Sequence, residues 1–267
     1  MKKQLLIVGI IFLLLLAGLT GCIGLVSKEF NAEYIANENT VLKVTNINGE
    51  IKINSWNSNN VSLHAVTKSY QGNDELEKIS IDVVEINNVI DIETKFLGTG
   101  SVEASTDITI KVPTFITIDT VTTSNGEVQI SGTKGNITAH SSNGAMIIED
   151  IEGYVKVTSS NGKIEVKETT GIDDLHTSNG EIHAEIFDFK DDVNITSSNG
   201  RITVYINPSL NAELEMKTSN GEISVSGVTL TITLSEEKHM KGTLGEGGNK
   251  IFIQTSNGDI QLYKLEI

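Results

Sequence analysis

The sequence predicts an all-β protein: a parallel β-solenoid with a right-handed coil, rungs of 18–21 residues and an N-terminal β cap region. Three observations predict it. Ser-Asn-Gly recurs with its asparagine at Asn125, Asn143, Asn161, Asn179, Asn199, Asn220 and Asn257, at spacings of 18, 18, 18, 20, 21 and 37 residues. Between these corners apolar and polar residues alternate with period two, the pattern of strands with one buried and one wet face. The apolar residues also fall in columns. Four positions before the asparagine stand Val121, Ala139, Val157, Leu175, Ile195, Met216 and Ile253; three after it stand Val128, Met146, Ile164, Ile182, Ile202, Ile223 and Ile260. An antiparallel meander with Asn-Gly type I′ hairpins is the alternative. It has no reason to hold a constant period, whereas a solenoid needs one to keep each apolar set inside.

The elements follow in chain order. Residues 1–21 read as a signal peptide: Lys2 and Lys3, an apolar run from Leu5 to Leu19, and then Leu19-Thr20-Gly21-Cys22. That run is short for a membrane span and suits secretion. The tetrapeptide resembles a lipobox, which implies cleavage before Cys22 and lipidation of its sulfur. Residues 22–38 read as a tether, 39–115 as the N-terminal cap region and 116–267 as the repeats. Gln71 to Glu77 fits one helical turn or a loop, and Gly135, Gly153 and Gly171, again 18 apart, suggest a second corner in each rung. The 37-residue gap before Asn257 reads as a unit that has lost its motif. The asparagines are expected to bond rung to rung in a ladder, each followed by a glycine in a left-handed conformation.

Composition limits the partners. The formal charge is −15; without Lys2 and Lys3 it is −17, with 18 basic and 35 acidic residues. Such a surface repels phosphate backbones, which argues against nucleic acid. A lone cysteine permits no intrachain disulfide and no cysteine-based zinc site.

The segments Leu-Lys-Val-Thr-Asn-Ile-Asn-Gly-Glu-Ile-Lys-Ile (42–53) and Lys-Val-Pro (111–113), the Thr-Ser-Asn-Gly repeats and the Gly245–Ile260 finish are similar to one family. It is the putative-adhesin family of β-strand-repeat envelope proteins, a domain of unknown function, and the resemblance covers roughly residues 38–267. It implies the repeat fold and an envelope setting, with envelope-stress association as a second implication. It implies no catalytic residues.

Candidate chemistry is sparse. Asp173-Asp174 and Asp191-Asp192 are 18 apart, and stacked on adjacent rungs they would offer four carboxylates to one Ca²⁺; a hydrated acidic edge is the plainer reading. Glu149-Asp150 is a third acidic pair. A sugar-cleaving pair of carboxylates would want basic residues to grip its substrate, and Arg201 is the only arginine, so an enzyme is not expected. His140 and His176 lie two rungs apart, too far to share zinc. Asn60, Asn136 and Asn194 match the glycosylation pattern, and Trp56 and Tyr154 are the leading aromatic platforms for a sugar. No cofactor is expected. The reading is a lipid-anchored, extracytoplasmic interaction module whose partners are the membrane and an envelope polysaccharide or membrane protein. A stress sensor or regulator, or a polysaccharide-active enzyme, are the alternatives.

Overall fold

The computed structural model describes residues 24–266. The signal segment and Cys22 lie outside them. Chain order begins with β1 (Val26–Ile35), β2 (Val41–Asn48), β3 (Ile51–Trp56) and β4 (Asn60–Ser69), then the single-turn helix α1 (Asn73–Leu76), β5 (Ile79–Ile86), β6 (Val89–Phe96) and β7 (Ala104–Pro113). The repeats follow as β8 (Thr117–Asn125), β9 (Val128–Lys134), β10 (Ile137–Asn143), β11 (Met146–Ser159), β12 (Ile164–Thr177), β13 (Ile182–Ile186), β14 (Val193–Asn199), β15 (Ile202–Ile206), β16 (Ala212–Asn220) and β17 (Ile223–Ser226). A hairpin of β18 (Thr231–Glu236) and β19 (His239–Leu244) precedes β20 (Lys250–Asn257) and β21 (Ile260–Lys264).

Each rung is a strand, a corner and a second strand, the corner being Asn-Gly in every rung except that of β6 and β7, and rungs stack in parallel register. The face before the corner runs β6, β2, β8, β10, the second half of β11, the second half of β12, β14, β20 and β16. The face after it runs β7, β3, β9, the first halves of β11 and β12, β13, β15, β21 and β17. Antiparallel strands finish the ends: β5 on β6, β4 on β7 and β1 on β4 at one end, β19 on β16 and β18 on β19 at the other. Edges with unpaired backbone need such covering.

The core lies between the two faces. Val44, Val121, Ala139, Val157, Leu175, Ile195, Ile253 and Met216 face Ile51, Val128, Met146, Ile164, Ile182, Ile202 and Ile260, all buried. Fully burying one aliphatic side chain is worth roughly 1.5–3 kcal/mol, so every rung adds several increments to one continuous core.

Four expectations need correction. Residues 22–38 are not a free tether, because Val26–Ile35 pairs along its length with β4 and places Phe30, Ala32 and Tyr34 against the core. Residues 39–115 are not a separate cap: β2 and β3 form a full rung lying between the rung of β6 and β7 and that of β8 and β9. The gap before Asn257 holds no rung that has lost its motif. The chain makes β16–β17 and the β18–β19 hairpin, then turns back and inserts β20–β21 between the rungs of β14–β15 and β16–β17. Finally, six of the eight corner glycines do not owe their place to a left-handed φ; Gly49 (φ 112°) and Gly126 (φ 156°) are the two with a positive one. A Cβ on Gly144, Gly162, Gly180, Gly200, Gly221 or Gly258 would overlap the carbonyl of the corner glycine on the adjoining rung, and none of these has a positive φ. Backbone close approach selects glycine here.

Candidate functional site

Interleaving makes the asparagine ladder continuous and adds an eighth member, Asn48. Asn125 Nδ2 donates to Asn48 Oδ1 at 2.6 Å, and the bonds from Asn143 to Asn125, Asn161 to Asn143, Asn179 to Asn161 and Asn199 to Asn179 are 2.7–2.8 Å. Asn257 then bonds Asn199 at 2.7 Å, and Asn220 bonds Asn257 at 2.9 Å. The final two steps follow the rung order and not the sequence order. Asn48 lacks the preceding serine, but its Asn-Gly-Glu-Ile matches residues 179–182 and 220–223, a signal sufficient to find it. Inside the same corner, two residues before each asparagine except Asn48, where Asn46 stands, runs a buried hydroxyl column. Thr177, Ser197, Thr255 and Thr218 donate to the corner-glycine carbonyl of the adjoining rung at 2.8–3.0 Å. Among the described residues the hydroxyls of Thr123, Ser141 and Ser159 have no partner.

The acidic pairs do not gather. The register sets Asp174 opposite Asn194, whose backbone N–H and side chain both donate to it at 3.1 Å, while Asp192 Oδ1 accepts the N–H of Lys250 at 2.7 Å. The spacing of 18 misleads there because that rung is 20 residues long. Burial raises the Asp173 carboxyl above its usual range. Among the described residues no three His, Cys, Asp or Glu side chains are grouped to hold a metal. Tyr154 is no open platform: it is nearly buried, its hydroxyl donates to Asp188 at 2.9 Å, and Lys190 Nζ sits 3.6 Å from its ring centroid. Trp56 donates Nε1–H to the Asn60 carbonyl at 2.7 Å and stays half-exposed. His140 and His176 stand two rungs apart, and His176 shares a 2.7 Å hydrogen bond with Thr196. Asn60 bonds Glu33, and Asn136 accepts the Tyr154 N–H.

Two outward arrangements were not visible in the sequence. On the face after the corner, His183, Tyr205 and Tyr263 stack with centroids 5.1 and 5.3 Å apart. On the face before it, β14, β20, β16 and β19 lay out a grid. Asp192, Asn194 and Thr196 stand beside Lys250, Phe252 and Gln254, then Glu213, Glu215 and Lys217, then Thr243, Lys241 and His239. At its centre the Glu215 side chain, only 7% exposed, accepts from Lys217 at 2.7 Å and His239 at 2.9 Å, lies 3.4 Å from Lys241 and pairs with Lys250. Those bonds hold its carboxyl well below the usual range. The lysine side chains remain 41–44% exposed. Lys217 and Lys250 lie 5.7 and 5.0 Å from the Phe252 ring centroid. Asp192, Val193, Asn194, Glu215, Lys217, Lys250 and Phe252 line a cleft of about 260 Å³.

The stacked rungs and their polar ladder define a β-solenoid repeat protein. The chain belongs to the Toastrack DUF4097 family, whose model matches residues 26–263. Among solved structures it is similar to a putative adhesin from Bacteroides fragilis NCTC 9343, at 16% identity, 89% coverage of this chain and 97% of that one, with a TM-score of 0.51. It is also similar to a putative cell adhesion protein from Clostridium sporogenes ATCC 15579, at 16% identity, 90% and 100% coverage and a TM-score of 0.41. A putative lipid binding protein from Parabacteroides distasonis ATCC 8503 aligns at 14% identity, 91% and 97% coverage and a TM-score of 0.34. At 16% identity the likeness to the Bacteroides fragilis protein is one of fold. No curated protein matches the chain. No helix among the described residues is long and apolar enough to cross a membrane.

Proposed function

We propose that this chain is a lipid-anchored, extracytoplasmic, non-catalytic interaction module of adhesin-like type, which binds an extended envelope polymer along its outer faces. The observation that carries this reading is the continuous eight-asparagine ladder between two flat, regularly spaced polar faces. A rigid array of repeated weak contacts suits a polymer, because each added contact benefits from those already made. The adhesin descriptions of the Bacteroides and Clostridium proteins agree with it. Co-sedimentation with the organism's own envelope, before and after polysaccharide is stripped, tests it. Binding lost on stripping is the expected result, and no binding to intact envelope contradicts it.

A second reading, a regulator docked on a membrane protein, is favoured by one observation. β1 begins at Val26, so a lipidated Cys22 would hold the fold within about 14 Å of the anchor. Apolar Leu25, Ile35, Val84 and Ile86 are exposed on or beside the end strands β1 and β5. Binding that survives stripping would point to this reading.

A further inference from the structure

We propose that the cleft between β14, β20 and β16 is a binding site for an acidic saccharide. A sugar ring lies on Phe252, its carboxylate or phosphate group is held by Lys217 and Lys250, and Asn194 and Gln254 take ring hydroxyls. The proposal rests on the adhesion reading and names its ligand class.

The charge arrangement comes first. The net charge of the protein is strongly negative, so an acidic polymer is repelled over most of the surface. On this grid three ammonium groups, Lys217, Lys241 and Lys250, surround a carboxylate that lies beneath them. Glu215 is 7% exposed and the lysines 41–44%, so the anion is below and the cations above. Of the other acids on the grid, Glu213 accepts from the Thr243 hydroxyl at 3.0 Å and Asp192 accepts the Lys250 N–H. Both lie in the row at the Lys250 end, away from Lys217. Lys217 and Lys241 stand off from these two acids, and across β19 the next exposed acid is Glu236, opposite His239.

Glu215 also fixes the lysines in place. A lysine ammonium has three donors, and one bond to Glu215 leaves two for a ligand. Holding flexible cations at set positions lowers the ordering cost when an anion arrives. Charge-assisted bonds to a carboxylate or phosphate are stronger than neutral ones.

Phe252 supplies the other half. Its position, five residues before the corner asparagine, carries Thr120, Thr138, Lys156, Asp174, Asn194 and Glu215 in other rungs. A half-exposed phenyl ring in an otherwise polar outward column gives the C–H face of a pyranose an apolar surface. Asn194 and Gln254 flank the ring in the neighbouring strand and along the same strand. The cleft is open to solvent and, at about 260 Å³, a little below the usual range of enclosed ligand pockets, which suits one sugar ring of a longer chain.

The test is isothermal titration of the full chain, in detergent micelles, with galacturonic acid trisaccharide and neutral galactotriose as paired probes and inorganic phosphate as competitor. The trisaccharide acid is expected to bind, and galactotriose to bind about tenfold or more weaker, as the loss of charge-assisted bonds predicts. Raising salt should weaken the acid selectively. The pair Lys217→Gln and Lys250→Gln should lose binding, Lys217→Arg and Lys250→Arg should retain it, and Phe252→Ser should lose it with an unchanged melting temperature. Displacement by phosphate assigns the acid group to phosphate as well as carboxylate; its absence assigns it to carboxylate. Equal binding of galactotriose, no binding of the acid, or full binding by the double Gln variant overturns the proposal. If that variant still sediments with envelope, adhesion stands and this ligand falls. Binding of the acid by a chain that does not sediment with envelope reverses that outcome.

Discussion

Replacing Gly162 by alanine isolates the force that sets the corner sequence. A Cβ there would lie well under 3.0 Å from the carbonyl oxygen and carbon of Gly144, which are backbone atoms of the adjoining rung and cannot swing aside. Rungs about 4.8 Å apart would have to part. Overpacking against movable neighbours costs roughly 1–3 kcal/mol. Here parting also strains the 2.9 Å bond from Asn161 N–H to Ser142 and the 2.7 Å ladder bond to Asn143. Two such bonds at about 0.5–1.5 kcal/mol each bring the total to about 2–6 kcal/mol. Gly100→Ala is the control: φ is 95° and no atom lies within 4 Å of a Cβ, so only the left-handed backbone penalty of about 1–2 kcal/mol applies. Urea unfolding followed by far-ultraviolet circular dichroism compares the two. If Gly162→Ala costs no more than Gly100→Ala, the reasoning from rung stacking is wrong.

Other perturbations separate the remaining contributions. Asn161→Ala removes two ladder bonds and should cost about 1–3 kcal/mol by urea unfolding without selectively abolishing envelope binding. Thr177→Val loses a buried bond and should cost about 1 kcal/mol, whereas Ser141→Ala removes an unpartnered hydroxyl and should be neutral or stabilising. Glu168, exposed with φ 49°, should gain about 0.5–1 kcal/mol when replaced by glycine, the relief of left-handed strain exceeding the glycine entropy cost; a lower melting temperature would refute this. Bonds from Lys163 and Lys167 lower the Glu165 carboxyl from 4.5 to about 2. Because the folded value is depressed, its stabilisation is present above about pH 4.5 and is lost as pH falls towards 2. Glu165→Gln should therefore flatten acid unfolding in that window, and an unchanged acid limb would count against the pair.

The columns of the core were legible because period-two alternation and an 18-residue period are local properties of the chain. The order of the rungs was not. Nothing between Asn220 and Asn257 announces that the chain will turn back, since the pairing of β20 with β14 and β16 is a tertiary choice among rungs of similar pattern. The cleft was hidden for the same reason. Asn194, Phe252 and Glu215 belong to three distant segments that become neighbours only through insertion. β1 was missed because Lys28, Glu29 and Glu33 made Val26–Ile35 read as polar, although alternate residues face the core. The glycines were found but given the wrong cause: sequence reveals that glycine recurs, and only the stacking reveals which atom its missing Cβ makes room for.

The ladder and the cleft both depend on the insertion of β20–β21, and cysteine cross-linking tests it directly. With Cys22 replaced by Ser, Asn199→Cys paired with Asn257→Cys, and Asn220→Cys paired with Asn257→Cys, put thiols on adjacent rungs in matched register. Their Cα separation of about 4.8 Å suits a disulfide. Asn199→Cys with Asn220→Cys puts them two rungs apart, about 9.6 Å, beyond disulfide reach. Mild oxidation is expected to cross-link the first two pairs and spare the third. Cross-linking of the third pair in preference to the others would mean that the rungs stack in sequence order, and the continuous ladder and the lysine cleft would both be lost.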